Sequence, residues 1–332
     1  VNLFFVLSGF LITGILLETK QKPDYFRRFY TRRALRILPA YYAVLVILCI
    51  VPHTRWFMDR HNTWQFTLLS IFFMSNLTTL FGVNMQYGVF WSLAVEEHFY
   101  LVWPFIVKKL SKTSIIVCAC LIVLVMPIFR ALTFMWGFSE GYGYTWLVAD
   151  GLALGSLLAV LLRTAHSDRL VARYFSITCI LASIFLLIVG GPSRVLHIGN
   201  IVGVSLRLSV VNLLFAGMFS AILLIGTGPY RFLVRWRVLE FFGRISYGLY
   251  LIHMLSFDFA NTIFATYFPG ATLQSNFALV GLRFLLASGP AIVIAYLSRR
   301  YFEEWFLQLK RSAKNDASIG FLQRNKEMVS PG

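Results

Sequence analysis

The chain has 332 residues, of which 58% are hydrophobic and only 13% are charged. Soluble domains are about half apolar and about a quarter charged, so this composition excludes an ordinary soluble enzyme, a disordered chain and a disulfide scaffold. The 30 Lys and Arg residues against 14 Asp and Glu give a net charge of +16, which on a soluble protein indicates nucleic-acid binding. Here the basic residues lie between apolar segments, so we interpret the charge as a membrane-orientation signal and expect no nucleic-acid partner.

Apolar segments follow one another along nearly the whole chain, and most have the length of about 17 to 25 residues that a membrane-spanning helix needs. They lie at 1–17, 37–52, 64–81, 91–107, 114–134, 145–162, 174–191, 207–226, 245–268 and 277–298. This pattern predicts an all-α fold, a polytopic transmembrane helix bundle, over residues 1–309, followed by a polar basic cytoplasmic tail over 310–332. The first segment is apolar from Val1 onward and lacks the charged start and cleavage site of a signal peptide, so we expect that a preceding helix is missing.

The charges of the connecting loops predict the orientation, because cytoplasmic loops are enriched in Lys and Arg. The loops rich in these residues are 18–36, 108–113, 163–173, 227–244 and the tail after 298. Between the outer loop at 53–63 and the inner loop at 108, the chain must cross an odd number of times, yet two apolar segments lie there. We predict that the segment near 91–107 is re-entrant, because it carries Glu96, Glu97 and His98. The count is then about nine crossings, or about ten with the missing helix, and the C-terminus is cytoplasmic.

A basic cluster lies at the cytoplasmic mouth of the second segment. Arg33 and Arg36 are three residues apart and share a helix face, with Arg32 beside them. Because a guanidinium binds phosphate oxygens well, this cluster is a candidate clamp for a phosphate-bearing cofactor. The alternative is an orientation signal in contact with lipid headgroups, and the spacing alone favours that alternative.

The segment 91–104, WSLAVEEHFYLVWP, has polar residues at helical spacing. Ser92, Glu96 and Tyr100 share one face of a helix. An acid held at membrane depth suits proton transfer, so Glu96 is a candidate catalytic residue, and Glu97 and His98 are further candidates. The alternative is a structural hydrogen-bonded network.

Two more groups of polar residues lie in later segments. Ser246, Tyr250 and His253 form another helical face, on which His253 is either functional or a packing histidine. Arg130 and Asp150 lie at predicted outer helix ends, where they either bind a polar acceptor or neutralise each other. The cysteines have no metal-ligand spacing, so we expect no metal site.

Five strings together resemble the acyltransferase 3 family of bacterial integral membrane proteins. They are NLFFVLSGFLITGILL at 2–17, FYTRRALRILPAYY at 29–42, WSLAVEEHFYLVWP at 91–104, DGLALG at 150–155 and ISYGLYLIH at 245–253. The resemblance covers most of the chain. It implies a multi-pass protein of the bacterial inner membrane that transfers an acyl group, often acetyl, from cytosolic acyl-CoA to a carbohydrate hydroxyl.

The resemblance also implies site residues. Arg33 and Arg36 match the element on the coenzyme A side, and Glu96 matches the acid of the second motif. The acceptor is a cell-surface or exported carbohydrate, sometimes a lipid-linked sugar, and membrane lipids surround the chain. We therefore assign Arg32, Arg33 and Arg36 to acyl-CoA, while catalysis falls to Glu96, His253, Glu97 and His98. The assigned acceptor-binding residues are Asp150, Arg130, Tyr250 and Ser246.

Two departures from the family pattern leave alternatives open. The family's first helix carries an Arg followed about ten residues later by a His, and no such helix is present here. The usual E-x-P string is Glu303-Glu304-Trp305 in this chain, so Trp305 replaces the proline. The alternatives to an acyltransferase are a transporter or flippase for a glycan or metabolite, and an inactive truncated remnant.

Overall fold

The computed structural model of the chain describes residues 1–50, 60–137, 143–164, 168–197, 199–227, 236–267, 277–306 and 308. Over these ranges the backbone forms helices joined by turns, with no strand, which confirms the predicted all-α class. The tail predicted at 310–332 lies outside the described residues. The α-helices in these ranges are α1 (Asn2–Thr19), α2 (Tyr25–Ile50), α3 (Arg60–Ile71), α4 (Phe90–Lys109), α5 (Lys112–Met135), α6 (Thr145–Val148), α7 (Asp150–Leu162), α8 (Asp168–Gly190), α9 (Pro192–Val195), α10 (Ile201–Thr227), α11 (Arg237–Tyr267) and α12 (Phe277–Leu297).

Several of these helices have the length and composition of membrane spans. In the described ranges six stretches are long and apolar enough to cross: Asn2–Thr19, Tyr25–Ile50, Lys112–Met135, Arg169–Gly190, Ile201–Ile225 and Leu279–Phe306. These belong to α1, α2, α5, α8, α10 and α12. The predicted crossings also include the segment 64–81 and helices α7 and α11, which are either shorter or richer in charged residues. The count of nine stays a prediction.

The prediction that 91–107 does not span the membrane stays a prediction, and the structure adds 64–81 as a second candidate for that segment. Helix α4 runs unbroken for 20 residues and is therefore about 30 Å long, enough for a full crossing. The segment at 64–81 is the divided one, because α3 has only 12 residues and a 3₁₀-helix over Ser75–Phe81 follows it. The loop charges require an odd number of crossings between 53–63 and 108. This requirement is also met if 64–81, rather than 91–107, fails to span.

The division after α3 has a specific backbone cause. The Met74 N–H donates to the Leu69 carbonyl at 2.7 Å and the Phe73 N–H donates to the Ser70 carbonyl at 3.0 Å. This is the Schellman pattern, which ends a helix with a residue in the left-handed region. Phe73 has φ 55°, an uncommon conformation for a residue other than glycine.

The chain divides into two compact units, of which the first contains residues 1–25 and 59–237. In this unit α1 packs against α4, α7 and α10, while α8 packs along α10. The contact between α1 and α7 is a backbone contact at Gly9 and Gly155. A β-carbon at Gly155 would lie 1.9 Å from the Val6 carbonyl oxygen, and one at Gly9 would lie 2.0 Å from the Leu152 carbonyl oxygen. The small residues of α7 therefore serve close helix packing.

The second unit contains residues 26–58 and 238–332. The Tyr247 hydroxyl on α11 donates to the Ile37 carbonyl on α2 at 2.9 Å. The Ser256 hydroxyl on α11 donates to the Ala287 carbonyl on α12 at 2.5 Å. Beyond α12, a π-helical segment over Ser298–Glu303 ends at Glu303, the first residue of the string that corresponds to E-x-P.

Candidate active site

Helix α4 presents the predicted polar face to the interior of the first unit. Ser92, Glu96 and Tyr100 are all buried, and Glu96 is only 3% exposed. Their spacing of four residues places them on one side of the helix. The Tyr100 hydroxyl lies 2.5 Å from the Ser8 hydroxyl of α1. One turn further along, the Trp103 indole N–H donates to the Thr13 hydroxyl at 2.8 Å, so this face is hydrogen-bonded to α1 at two levels.

The neighbouring residues Glu97 and His98 are half-buried. Nδ1 of His98 lies 2.7 Å from the Thr145 hydroxyl oxygen, and the ring also hydrogen-bonds the backbone of Phe73. The same Thr145 hydroxyl oxygen accepts a hydrogen bond from the Asn76 side-chain amide at 3.0 Å. His98 is thus held by residues from two separate parts of the chain, Phe73 and Thr145.

Beside α4 lies a cavity of about 540 Å³, a volume typical of a small-molecule site. Its lining includes aromatic rings and polar side chains but, among the described residues, no acidic side chain. The polar and aromatic side chains in the lining include Asn2, Asn76, Trp91, Tyr144, Arg207 and Asn212. Asn2 and Tyr144 belong to stretches that the charge pattern predicts to be outside, and Arg207 lies at the predicted outer end of α10, so we expect the cavity to face away from the cytoplasm.

The opposite end of the first unit is basic. Lys20 Nζ donates to the Leu110 carbonyl, and Lys108 Nζ donates to the Lys20 carbonyl, each at 2.5 Å. Arg163 forms an ion pair with Glu18 at 2.6 Å. These residues belong to the loops that the charge pattern predicts to be cytoplasmic.

A buried ion pair lies between the ends of α5, α7 and α10 that the charge pattern predicts to be outside. Arg130 and Asp150 are each 1% exposed, and their nearest side-chain atoms are 3.1 Å apart. The guanidinium also donates to the carbonyls of Ser205 and Leu147 and to the Ser209 hydroxyl. Because protein oxygens take up every nitrogen of the guanidinium, this geometry favours mutual neutralisation over direct binding of an acceptor.

The ion pair connects to the cavity through two asparagines. The Asn212 amide donates to Asp150 Oδ1 at 2.8 Å, and the Asn212 oxygen accepts from the Asn2 amide at 2.8 Å. Asn2 and Asn212 both line the cavity. Asp150 therefore orients part of the cavity wall without facing the ligand space itself.

Sequence reasoning did not single out Asn76, Arg207 or Asn212. Each lies in or at the edge of an apolar segment, where a polar side chain is costly and usually functional. Arg207 was the clearest available signal, because it is the one charged residue in the segment 207–226. The contribution of Asn76 depends on the break at Phe73, which the sequence pattern does not reveal.

In the second unit, the arginine cluster lies within α2, which begins at Tyr25. Arg32 and Arg33 are half-buried, whereas Arg36 is exposed. Glu303, at the end of the π-helical segment, is 6% exposed and attracts Arg36 electrostatically. Arg299 also approaches Glu303, with 3.4 Å between Nη1 and Oε2. The acid of the E-x-P-like string is thus buried next to the arginine cluster despite the loss of the proline.

The candidate residues of α11 form a local group. The His253 Nδ1–H donates to the Tyr250 carbonyl at 2.6 Å, and the two rings have centroids 5.6 Å apart. This bond fixes the tautomer in which Nε2 is the nitrogen able to accept a proton. Ser246 is exposed and its hydroxyl donates to the Gly243 carbonyl at 3.0 Å, which is a local helix contact.

Comparison with curated proteins gives relatives named as O-acetyltransferases. A putative peptidoglycan O-acetyltransferase of Bacillus subtilis is 28% identical, with 76% of this chain and 43% of that protein covered. A peptidoglycan O-acetyltransferase of Listeria monocytogenes is 36% identical over 31% of this chain and 18% of its own length. An uncharacterized protein of Haemophilus influenzae is 29% identical over 56% of this chain and 84% of its own length.

The chain therefore spans less than half the length of the two peptidoglycan O-acetyltransferases. No solved structure matches it. The model of the acyltransferase 3 family, described as an acyltransferase domain, matches residues 1–300. Because this match takes in 300 of the 332 residues, the chain belongs to the acyltransferase 3 family.

Proposed function

We propose that this protein transfers an acetyl or other acyl group from cytosolic acyl-CoA to a hydroxyl of a cell-surface carbohydrate such as peptidoglycan. The observation that carries the proposal is the cavity beside α4, whose aromatic and polar lining suits a sugar. Trp91 and Tyr144 offer apolar ring faces, and the asparagine amides offer hydrogen bonds to hydroxyls. Family membership and the names of the relatives support the same reaction class.

The donor side of the proposal rests on α2. Arg32 and Arg33 are adjacent on α2, and Arg36 lies about one turn further along. Their guanidinium groups therefore suit the phosphates of acyl-CoA. Glu303 next to Arg36 limits the orientations open to that side chain. The cluster belongs to the loop 18–36 that the charge pattern predicts to be cytoplasmic, where acyl-CoA is available.

The proposed step is a direct acyl transfer. The acceptor hydroxyl oxygen attacks the thioester carbonyl carbon, so a C–O bond forms, the C–S bond breaks and coenzyme A leaves as the thiol. A base must take the hydroxyl proton, and a donor must stabilise the oxyanion. Within this chain Glu96, buried on α4, and His253, with Nε2 able to accept a proton, are the favoured groups. Glu97 and His98 are the secondary candidates.

The proposal extends to location and sidedness. The long apolar helices and the family make this a multi-pass membrane protein, and we place it in the bacterial inner membrane with a cytoplasmic C-terminus. The acceptor, a carbohydrate or a lipid-linked sugar, then approaches from the outer side.

The proposal is tested by measuring the O-acyl esters on the polysaccharides of the cell surface. The gene that encodes this chain is deleted and then restored as wild type or as Glu96→Gln, and base-labile acetate is measured on the purified envelope polysaccharides by mass spectrometry. We expect a loss of O-acyl groups on deletion, restored by the wild type and not by Glu96→Gln. Unchanged ester content in all strains, with altered glycan export, would favour a transporter instead.

A further inference from the structure

We infer that the cavity beside α4 binds a sugar that carries an anionic group, with Arg207 as its counter-charge and Asn76 as a hydrogen-bond acceptor for the sugar. This inference rests on the proposed function and narrows the class of its acceptor. It depends on two polar groups that have no partner among the described residues: the side-chain oxygen of Asn76 and the guanidinium of Arg207.

Asn76 is the first of these side chains. It is 4% exposed and lines the cavity. Its amide nitrogen donates to the Gly143 carbonyl at 3.3 Å and to the Thr145 hydroxyl at 3.0 Å, which fixes the orientation of the amide. Its oxygen Oδ1 is buried and accepts no hydrogen bond from the described part of the chain. Such a group is costly unless it has a partner, and a hydroxyl or N–H of a sugar in the cavity supplies one.

Arg207 is the second. It is half-buried near the start of α10 and lines the same cavity. Its guanidinium forms no ion pair or hydrogen bond with the residues that the structure describes, in contrast to the fully bonded Arg130. An ionisable side chain at this depth normally has a partner. A carboxylate or phosphate matches the guanidinium in charge and geometry, and both accept paired hydrogen bonds from it.

The remaining lining agrees with a sugar rather than a bare anion. Trp91 packs edge-on against Phe5, with 6.1 Å between ring centroids, and the Tyr144 hydroxyl lies 2.7 Å from the Thr79 hydroxyl. These contacts hold the two aromatic side chains in place around the cavity. A fixed aromatic wall favours a ring with an apolar face, which a simple ion lacks.

The anionic group has two possible sources, namely the carboxylate of an acidic sugar and the phosphate of a lipid-linked sugar. The experiment uses the full protein in nanodiscs and measures binding of four probes by saturation-transfer NMR. The probes are a disaccharide that contains glucuronate, its carboxyl-reduced form, glucose 1-phosphate and glucose. Wild type is compared with Arg207→Gln, Arg207→Lys and, as a matched control, Arg194→Gln, which removes an exposed outer arginine that does not line the cavity.

We expect wild type and Arg194→Gln to bind a charged probe at least about tenfold more tightly than its neutral counterpart. Arg207→Gln should abolish this preference and Arg207→Lys should keep part of it. A preference for the glucuronate probe assigns the site to an acidic sugar, and one for glucose 1-phosphate assigns it to a sugar phosphate. Equal binding of charged and neutral probes, or a preference that survives Arg207→Gln, overturns the inference.

Acetyl transfer from labelled acetyl-CoA is measured on the same samples. A charge preference without any transfer leaves the inference standing and counts against the proposed function. Transfer without a charge preference overturns the inference and leaves the proposed function standing. The two failures are therefore distinguishable.

Discussion

The carboxylate of Asp150 lies 3.1 Å from the guanidinium of Arg130, and both side chains are almost completely excluded from the surface of the first unit. The same carboxylate accepts a hydrogen bond from Asn212, which in turn holds Asn2. A charge pair within the bundle thus determines the orientation of two amides in the wall of the cavity. Removal of either charge leaves the other one buried without its partner.

We therefore predict that Asp150→Ala and Arg130→Ala each lower the free energy of unfolding by about 3–5 kcal/mol. The double variant Arg130→Met/Asp150→Leu should be more stable than either single variant, because it removes both buried charges. Thermal unfolding in detergent micelles measures this effect. The control Arg194→Ala, at an exposed position, should change stability by about 0.5 kcal/mol or less. Additive single effects in the double variant would contradict a direct pair.

Gly155→Ala should separate α1 from α7. The new β-carbon would lie 1.9 Å from the Val6 carbonyl oxygen, so the helix backbones must move apart, at a cost of about 1–3 kcal/mol. Gly281→Ala on α12 is a matched control, because nothing lies within 4 Å of its β-carbon position. Helix propensity makes that control neutral or slightly stabilising. Equal melting temperatures for the two variants would exclude a tight crossing at Gly155.

The neighbouring acids Glu96 and Glu97 should differ in their effect on turnover. Glu96→Gln keeps the shape of a buried side chain but removes its proton-transfer capacity, so we expect acetyl transfer to fall by about 10²-fold or more. Glu97→Gln alters a half-buried acid beside it and should keep most of the activity. Initial rates at saturating acetyl-CoA, with melting temperatures as a check on folding, decide between the two. A greater loss in Glu97→Gln would transfer the catalytic assignment to that residue.

The arginines of α2 should affect the donor more than the chemistry. Arg33→Gln and Arg36→Gln each remove a charge-assisted contact to phosphate, so we expect the KM for acetyl-CoA to rise by about tenfold while kcat stays similar. Lys22→Gln removes an exposed positive charge just before α2 and serves as the control for a general electrostatic effect. If all three variants change KM equally, the cluster acts only through net charge.

His253 allows a test that separates structure from chemistry. His253→Asn retains an amide N–H near the position of Nδ1, so it preserves the bond to the Tyr250 carbonyl, but it has no nitrogen that accepts a proton. We expect the melting temperature to stay near the wild-type value and turnover to fall by about 10²-fold. Retained activity in His253→Asn, combined with loss in His253→Ala, would identify a positioning role instead.

The sequence predicted the helical class and most helix locations, because long apolar runs and basic loops are direct consequences of the membrane environment. It also brought Ser92, Glu96 and Tyr100 to one face, since that relation depends only on helical spacing. The predicted neighbours Arg130 and Asp150 do lie together. The Arg130 guanidinium is bound by carbonyl and hydroxyl groups of other parts of the protein, and no local sequence pattern shows these contacts.

The cavity itself was beyond local pattern reasoning. Its lining comes from segments that are far apart in the sequence, and Asn76 reaches it because α3 ends at Ile71 and the chain turns at Phe73. A hydropathy pattern treats 64–81 as one apolar run, and the left-handed conformation of a phenylalanine has no signature in it. The prediction of 91–107 as the non-spanning segment takes no account of this break in 64–81.

The 3₁₀-helix after α3 buries polar side chains and exposes apolar ones. Ser75, Asn76 and Thr78 are buried against the protein, whereas Leu80 and Phe81 are exposed. An element of this kind resembles a span in a hydropathy profile, although its polar side chains are buried and its exposed side chains are apolar. Hydropathy alone therefore does not separate such an element from a continuous span, and mutational tolerance along it should follow side-chain burial rather than hydrophobicity.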